Sequence, residues 1–246
     1  MNSRGGEPDG GRWGGGVART SFESQLEGLE AKLLQMGQMV GTQLSRAVRA
    51  VMEADVRLAD EVLKRDGDVD RTYVEVEGEI IRTLALQAPV ARDLRLVVAV
   101  VLINHHLERM GDLCVNIAKF TRTLRGKPPN AAIRLLLEEM GERAQELVGL
   151  SLQAFAERNV ELAESLPIMD EPLDRLNQRM FGEIERSALE ETGPDASSEM
   201  ILIARYLERL GDHSVDIGEQ VAFVVTGEIR EFVPPKAARA RPDGLA

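Results

Sequence analysis

The amino-acid sequence predicts an all-α protein made of two tandem, sequence-related three-helix bundles, six long antiparallel helices in all. Three observations carry that prediction. Apolar residues recur at spacings of three and four along most of the chain, the strand-favouring Tyr, Phe, Trp and Thr are scarce, and a block of sequence recurs at an offset of 100 residues.

Each element follows in chain order. Thr20 and Glu23 form a capping-box pair, and Leu26, Leu29, Leu33, Met36, Val40 and Leu44 continue as one amphipathic helix. A second helix carries Asp66, Asp70, Glu79 and Ile80 and stops before Ala88-Pro89. The β-branched run Leu96 to Ile103 alone could pass for a strand, but it lies in Ala91 to Met110, a stretch without Gly or Pro, and length decides for a third helix. Gly126-Lys127-Pro128-Pro129-Asn130 then breaks the chain, and Thr192-Gly193-Pro194-Asp195 separates the fifth helix from the sixth.

The duplication organises these elements. Leu102-Ile103, Leu107-Glu108-Arg109, Gly111-Asp112, Val115 and Ile117 recur as Leu202-Ile203, Leu207-Glu208-Arg209, Gly211-Asp212, Val215 and Ile217. These are nine identities in the 16 positions from Leu102 to Ile117, where residue usage predicts about one by chance. Upstream, Asp66, Asp70, Arg71, Glu79 and Ile80 match Asp170, Asp174, Arg175, Glu183 and Ile184 at an offset of 104, so the second copy is four residues shorter near Gly193-Pro194. The predicted organisation is a disordered Gly-rich extension at 1–19, a first repeat at 20–126, a second at 127–234 and a basic disordered tail at 235–246.

Composition excludes several function classes. The formal charge is -11; removing the +1 of residues 1–19 and the +2 of residues 236–246 leaves -14 on the folded part, a field that repels nucleic acid and attracts cations or a basic protein surface. The longest apolar run has eight residues, far short of the roughly 20 needed to cross a bilayer. With one cysteine no intramolecular disulfide forms, and a reducing cytoplasm is expected. No phosphate-binding loop, nucleophile elbow or His-Glu-x-x-His motif is present, so catalysis has no positive support.

At about 100° per residue, Glu108, Asp112 and Asn116 share one narrow stripe of the third helix, and Glu208, Asp212 and Asp216 one of the sixth. Ile103, Leu107, Met110, Cys114 and Ile117 project to the opposite side, which places the acids on a solvated face or a surface cation site. Asp66 with Asp70, and Asp170 with Asp174, repeat the i, i+4 spacing. Such like-charge pairs cost an isolated helix about 0.2–0.5 kcal/mol each. From spacing alone, Arg71, Arg109, Arg175 and Arg209 neutralising them as a salt-bridged surface is the better reading; retention of the acids in both copies shifts the balance toward a metal, for which carboxylates with an amide suit Mg, Mn or Fe. His105, His106 and His213 have no counterpart in the other repeat and read as packing or surface residues, and Cys114, opposite Ser214, as a small core residue.

The tandem segments Leu107-Glu108-Arg109-Met110-Gly111-Asp112 and Leu207-Glu208-Arg209-Leu210-Gly211-Asp212 resemble the PhoU family, over about Thr20 to Pro234. The resemblance implies two repeated three-helix bundles with metal-binding acidic motifs: Asp66, Asp70, Glu108 and Asp112 in the first, and Asp170, Asp174, Glu208 and Asp212 in the second. It also implies a cytoplasmic negative regulator of phosphate uptake, coupling the ATPase subunit of a phosphate ABC transporter to a sensor histidine kinase without binding DNA. Asn116 in place of the acid at Asp216 predicts a weaker first site. Exposed apolar positions on the long helices predict a homodimer. The competing expectations are a metal-dependent phosphohydrolase and a metal-free helical scaffold for another transporter.

Overall fold

The computed structural model describes residues 14–124, 126–188 and 194–232. They form α1 (Gly14–Glu53), α2 (Val56–Gln87), α3 (Ala91–Phe120), α4 (Ala131–Glu157), α5 (Val160–Ala188) and α6 (Pro194–Thr226), with no strand among the described residues.

The turns repeat as the sequence does. Between α1 and α2, Ala54 takes the left-handed conformation at φ 51°, and Asp55 caps α2 by accepting hydrogen bonds from the backbone N–H of Arg57 and Leu58. Between α4 and α5, Arg158 has φ 56° and Asn159 accepts from the N–H of Leu162. Asn130 likewise caps α4 through the N–H of Ile133. The start of α1 departs from expectation: it begins at Gly14, so Thr20 lies inside the helix and not at its N-terminus. No proline interrupts the backbone between Gly14 and Thr20, and helical hydrogen bonding runs back past the expected cap. Residues 1–13 of the expected extension, the basic tail at 235–246 and Thr192-Gly193 lie outside the described residues.

Within each repeat all three helices pack on one another, and across the repeats α1 packs on α4 and α3 on α6. Each of these four helices therefore meets its own counterpart, as in an isologous interface between two copies. Glycines mark the close approach: a methyl at Gly37 would run into Leu152, and one at Gly141 would lie 2.9 Å from Val48 Cγ1. Gly37 and Gly141, like Val48 and Leu152, are equivalent positions at the offset of 104, so the two contacts are reciprocal. The bundles consequently share one continuous apolar core that includes Leu33, Met36 and Leu44 on α1, Ile103 and Met110 on α3, Leu137 and Met140 on α4 and Leu207 on α6. Among the described residues no helix is long and apolar enough to cross a membrane.

Candidate metal centres

In the second bundle the stripe on α6 faces α5, so its acids meet a second pair of acids across the helix crossing. Asp170, Asp174, Glu208 and Asp212 lie close enough for their charges to act on one another. Gly211 makes this possible: a methyl there would overlap Asp170 Oδ1 and lie 3.0 Å from Leu173 Cδ2. The glycine of the Leu-Glu-Arg-x-Gly-Asp motif is thus the notch into which the α5 carboxylate fits.

Burial gives this cluster its chemistry. Asp170 is 7% exposed and Glu208 8%. Burial, followed by the charges of Asp174, Asp212 and Glu208, pushes the Asp170 carboxyl up to about 7. Burial and then Asp212 push Glu208 to about 7 against the opposing pull of Arg205 and Arg209. Asp212 is raised by desolvation of its carboxyl and then by Asp174. Glu208 pairs with Arg205 through Oε1, but among the described residues no hydrogen-bond partner reaches Glu208 Oε2 or Asp170 Oδ1. Two buried acceptor oxygens inside a four-carboxylate cluster fit a hard cation, which supplies positive charge and accepts oxygen ligands. The residues that could hold it are Asp170, Asp174, Glu208 and Asp212.

The first bundle repeats the constellation in a more open form. Asp66 and Asp70 from α2 meet Glu108 and Asp112 from α3, and the carboxyls of Asp66 and Glu108 are raised, by burial first and then by neighbouring acids. Cations of the protein already stand here. Arg109 Nε lies 3.7 Å from Glu108 and its Nη1 3.9 Å from Asp112, while Lys119 acts on Asp66 and donates to Asn116 Oδ1 at 3.3 Å. Gly111 is less tightly filled, with Val69 Cγ1 3.2 Å from an added methyl.

The eight acids predicted to converge therefore form two tetrads. On the second stripe the exposure is graded: Glu208 is buried together with Asp170 of α5, Asp216 is half-buried and Asp212 stays exposed. Two arginines expected beside the acids turn elsewhere, Arg71 to Asp68 at 2.8 Å and Arg175 to Glu171 at 2.9 Å. Asn116 is occupied by Lys119, and Asp216 turns toward His106 and His213, with its Oδ2 3.5 Å from each Nδ1. The two imidazoles, read from the sequence as packing or surface residues, come together where α3 meets α6, with their Nδ1 atoms 3.2 Å apart. Periodicity within one helix carries no sign of that cross-bundle meeting; the break in repeat equivalence at His106/Tyr206 and His213/Leu113 was its only trace. Cys114 is fully buried with its thiol pushed far up by desolvation, as fits a core residue.

The chain matches the PhoU domain twice, over residues 33–121 and 137–221. It is 32% identical over 214 residues to a phosphate-specific transport system accessory protein PhoU homolog of Clostridium acetobutylicum, covering 86% of this chain and 97% of that protein. A homolog of the same name from Zymomonas mobilis is 32% identical over 85% of this chain and 88% of its own. Among solved structures, PhoU from Pseudomonas aeruginosa superposes with a TM-score of 0.79 at 30% identity, covering 84% of this chain and all of that one. The phosphate transport system regulatory protein PhoU from Streptococcus pneumoniae gives a TM-score of 0.79 at 27% identity, over 85% and 99% of the two chains. With both repeats matched and relatives aligned almost end to end, the chain belongs to the PhoU family.

Proposed function

We propose that this protein is a cytoplasmic accessory regulator of phosphate uptake, a metal-binding adaptor that restrains the phosphate ABC transporter and its sensor histidine kinase when phosphate is plentiful. The observation that carries the phosphate role is the match to the PhoU domain in both repeats, together with near full-length relatives named as phosphate-specific transport accessory proteins. Those names describe an accessory role, which supports an adaptor over a phosphohydrolase.

The metal part rests on the second tetrad. A hard cation such as Mg, Mn or Fe supplies the positive charge that Asp170 Oδ1 and Glu208 Oε2 lack among the described residues. Asp170 and Asp174 come from α5, Glu208 and Asp212 from α6, so a cation shared by them ties the two helices and removes their repulsion. The first tetrad, Asp66, Asp70, Glu108 and Asp112, is a weaker second site because Arg109 and Lys119 stand beside it. The net surplus of acids suits a basic face on the transporter ATPase subunit or the kinase. The exposed apolar row Leu94, Val98, Val101 and Leu102 on α3 supports self-association as a homodimer.

Deleting the gene should raise transcription of phosphate-starvation genes in phosphate-rich medium, with repression restored by the wild-type copy. Unchanged transcription in the deletion overturns the regulatory role. Elemental analysis of the purified protein and of D170N/E208Q tests the metal separately: equal, near-zero Mn, Fe and Mg in both leaves the acids as a salt-bridged face.

A further inference from the structure

A cation site of a different kind lies between the bundles. His106 on α3 and His213 on α6 point their Nδ1 atoms at each other at 3.2 Å, and Asp216 Oδ2 lies 3.5 Å from both. The three donor atoms form a nearly equilateral triangle. A tetrahedral ion with ligand bonds of about 2.0–2.1 Å has ligand-to-ligand edges of about 3.3–3.4 Å. An octahedral ion with the same bonds has adjacent edges of only about 2.9 Å. The triangle matches one face of the tetrahedron.

Hydrogen bonding alone leaves the group poorly satisfied. Two neutral imidazoles can share one Nδ1 proton between them, and the carboxylate oxygen, at 3.5 Å from each, stands beyond the usual N–H···O range of about 2.7–3.2 Å. A cation on the axis of the triangle can take all three donor atoms as ligands at once. The side chains of His106, His213 and Asp216 are 19%, 16% and 42% exposed, so an ion can enter and a fourth position can face solvent.

We propose that His106, His213 and Asp216 bind one zinc-type divalent ion, tetrahedral with an open fourth position, which staples α3 of the first bundle to α6 of the second. Two imidazoles and one carboxylate select a borderline ion, unlike the all-oxygen tetrads, so this site is separate from theirs in chemistry as well as place. It is also single. The equivalent positions in the other repeat are Tyr206, Leu113 and Asn116, which offer no such donor set, so the pseudo-symmetry of the fold predicts one such ion per chain and not two.

Cobalt(II) serves as the probe, because a tetrahedral nitrogen and oxygen environment gives it strong visible absorption that an octahedral oxygen site does not. The full chain, free of any histidine tag, should take up one tetrahedral Co(II) that Zn(II) displaces. His106→Asn and His213→Asn should each abolish the absorption and weaken Co(II) binding by more than about tenfold. The D170N/E208Q variant, which disables the second tetrad, should retain it. Melting curves establish that each variant folds, and Asp216→Asn reads the site if a histidine variant does not. Absence of tetrahedral absorption in the wild-type chain, persistence of the absorption in the folded histidine or aspartate variants, or its loss in the D170N/E208Q variant would overturn the assignment.

Discussion

The two acidic tetrads descend from one repeated pattern, yet their surroundings have made them different objects. In the second, Asp170 and Glu208 are buried, two of their oxygens have no hydrogen-bond partner among the described residues, and Gly211 is filled by Asp170 itself. In the first, Asp66 and Glu108 are only half-buried, and the protein supplies its own counter-charges through Arg109 and Lys119. Identical acids at equivalent positions thus do not make equivalent sites; the helix crossing decides how much water they keep, and the neighbours decide how much charge is left uncompensated.

The notch glycines offer the sharpest way to break this contrast. At Gly211 an alanine methyl would collide with a short buried carboxylate, whereas at Gly111 it would press against Val69 at 3.2 Å. Overpacking costs about 1–3 kcal/mol, and alanine returns up to about 1 kcal/mol of helix propensity. Gly211→Ala should therefore destabilise by about 2 kcal/mol, a fall of about 4–8 °C in Tm for a chain of this size, while Gly111→Ala stays within about 1 kcal/mol of wild type. Equal shifts in thermal or urea unfolding would mean that Asp170 does not sit in the notch.

Proton linkage separates the tetrads next. In chelator-treated protein, Asp170 and Glu208 have folded values of about 7, set by burial, by Asp174 and Asp212, and for Glu208 against Arg205 and Arg209. Unfolded, both ionise at the ordinary carboxylate value of about 4. Below that pH both states are protonated and nothing is lost. Between about 4 and about 7 the unfolded chain holds fewer protons than the folded one, so stability falls as pH rises and levels off above about 7. Asp170→Asn should flatten that fall and stabilise the metal-free protein at pH 8 by on the order of 1–2 kcal/mol, with Asp66→Asn giving less. Stability curves that run parallel for wild type and Asp170→Asn would remove the buried-carboxylate account.

Exchange of neighbours should make one site behave as the other. Asn116 and Lys119 stand where the second repeat has Asp216 and Glu219. The double change N116D/K119E removes the cation that acts on Asp66 and adds two carboxylates nearby. Mn(II) titration followed by the electron-spin signal of the free ion should then show the weaker site strengthened by about tenfold, about 1.4 kcal/mol. No change would mean that the charge of residues 116 and 119 does not set the cation affinity of the first tetrad.

Much of this contrast could be read along the chain, and what could not has a physical reason. Helical period, punctuation and the repeat sufficed for six helices and for the i, i+4 acid pairs on α2, α3, α5 and α6, because those relations depend on spacing within a helix and on internal equivalence; that Asp66 and Asp70 stand with Glu108 and Asp112 was implied only by the resemblance to the PhoU family. Burial of Asp170 and Glu208 depends on which helix covers the stripe, a tertiary fact that hydropathy does not encode. Gly37 and Gly141 mark the α1–α4 contact, but a lone glycine in a helical run reads only as a weak helix former until its partner, Leu152 or Val48, is known. His106 and His213 meet across 107 positions of chain, and searching for repeated residues draws attention away from them because neither is repeated.

The smallest expected effect tests whether the arginines hold the first tetrad together or merely accompany it. Arg109 is half-exposed and reaches Glu108 and Asp112 only at 3.7 and 3.9 Å, distances at which solvent screens most of the attraction. Exposed pairs of this kind contribute about 0.2–1 kcal/mol, and a long side chain loses rotamer freedom in making them. Arg109→Gln should therefore change stability by less than about 0.5 kcal/mol, with the small difference vanishing in 1 M salt, where screening acts over about 3 Å. In the second tetrad Arg205 bonds Glu208, whose carboxyl is buried, and Arg205→Gln should cost more because that charge loses its nearest compensation. If the two variants melt alike, the arginines are equivalent solvated partners, and the contrast between the tetrads rests on desolvation alone.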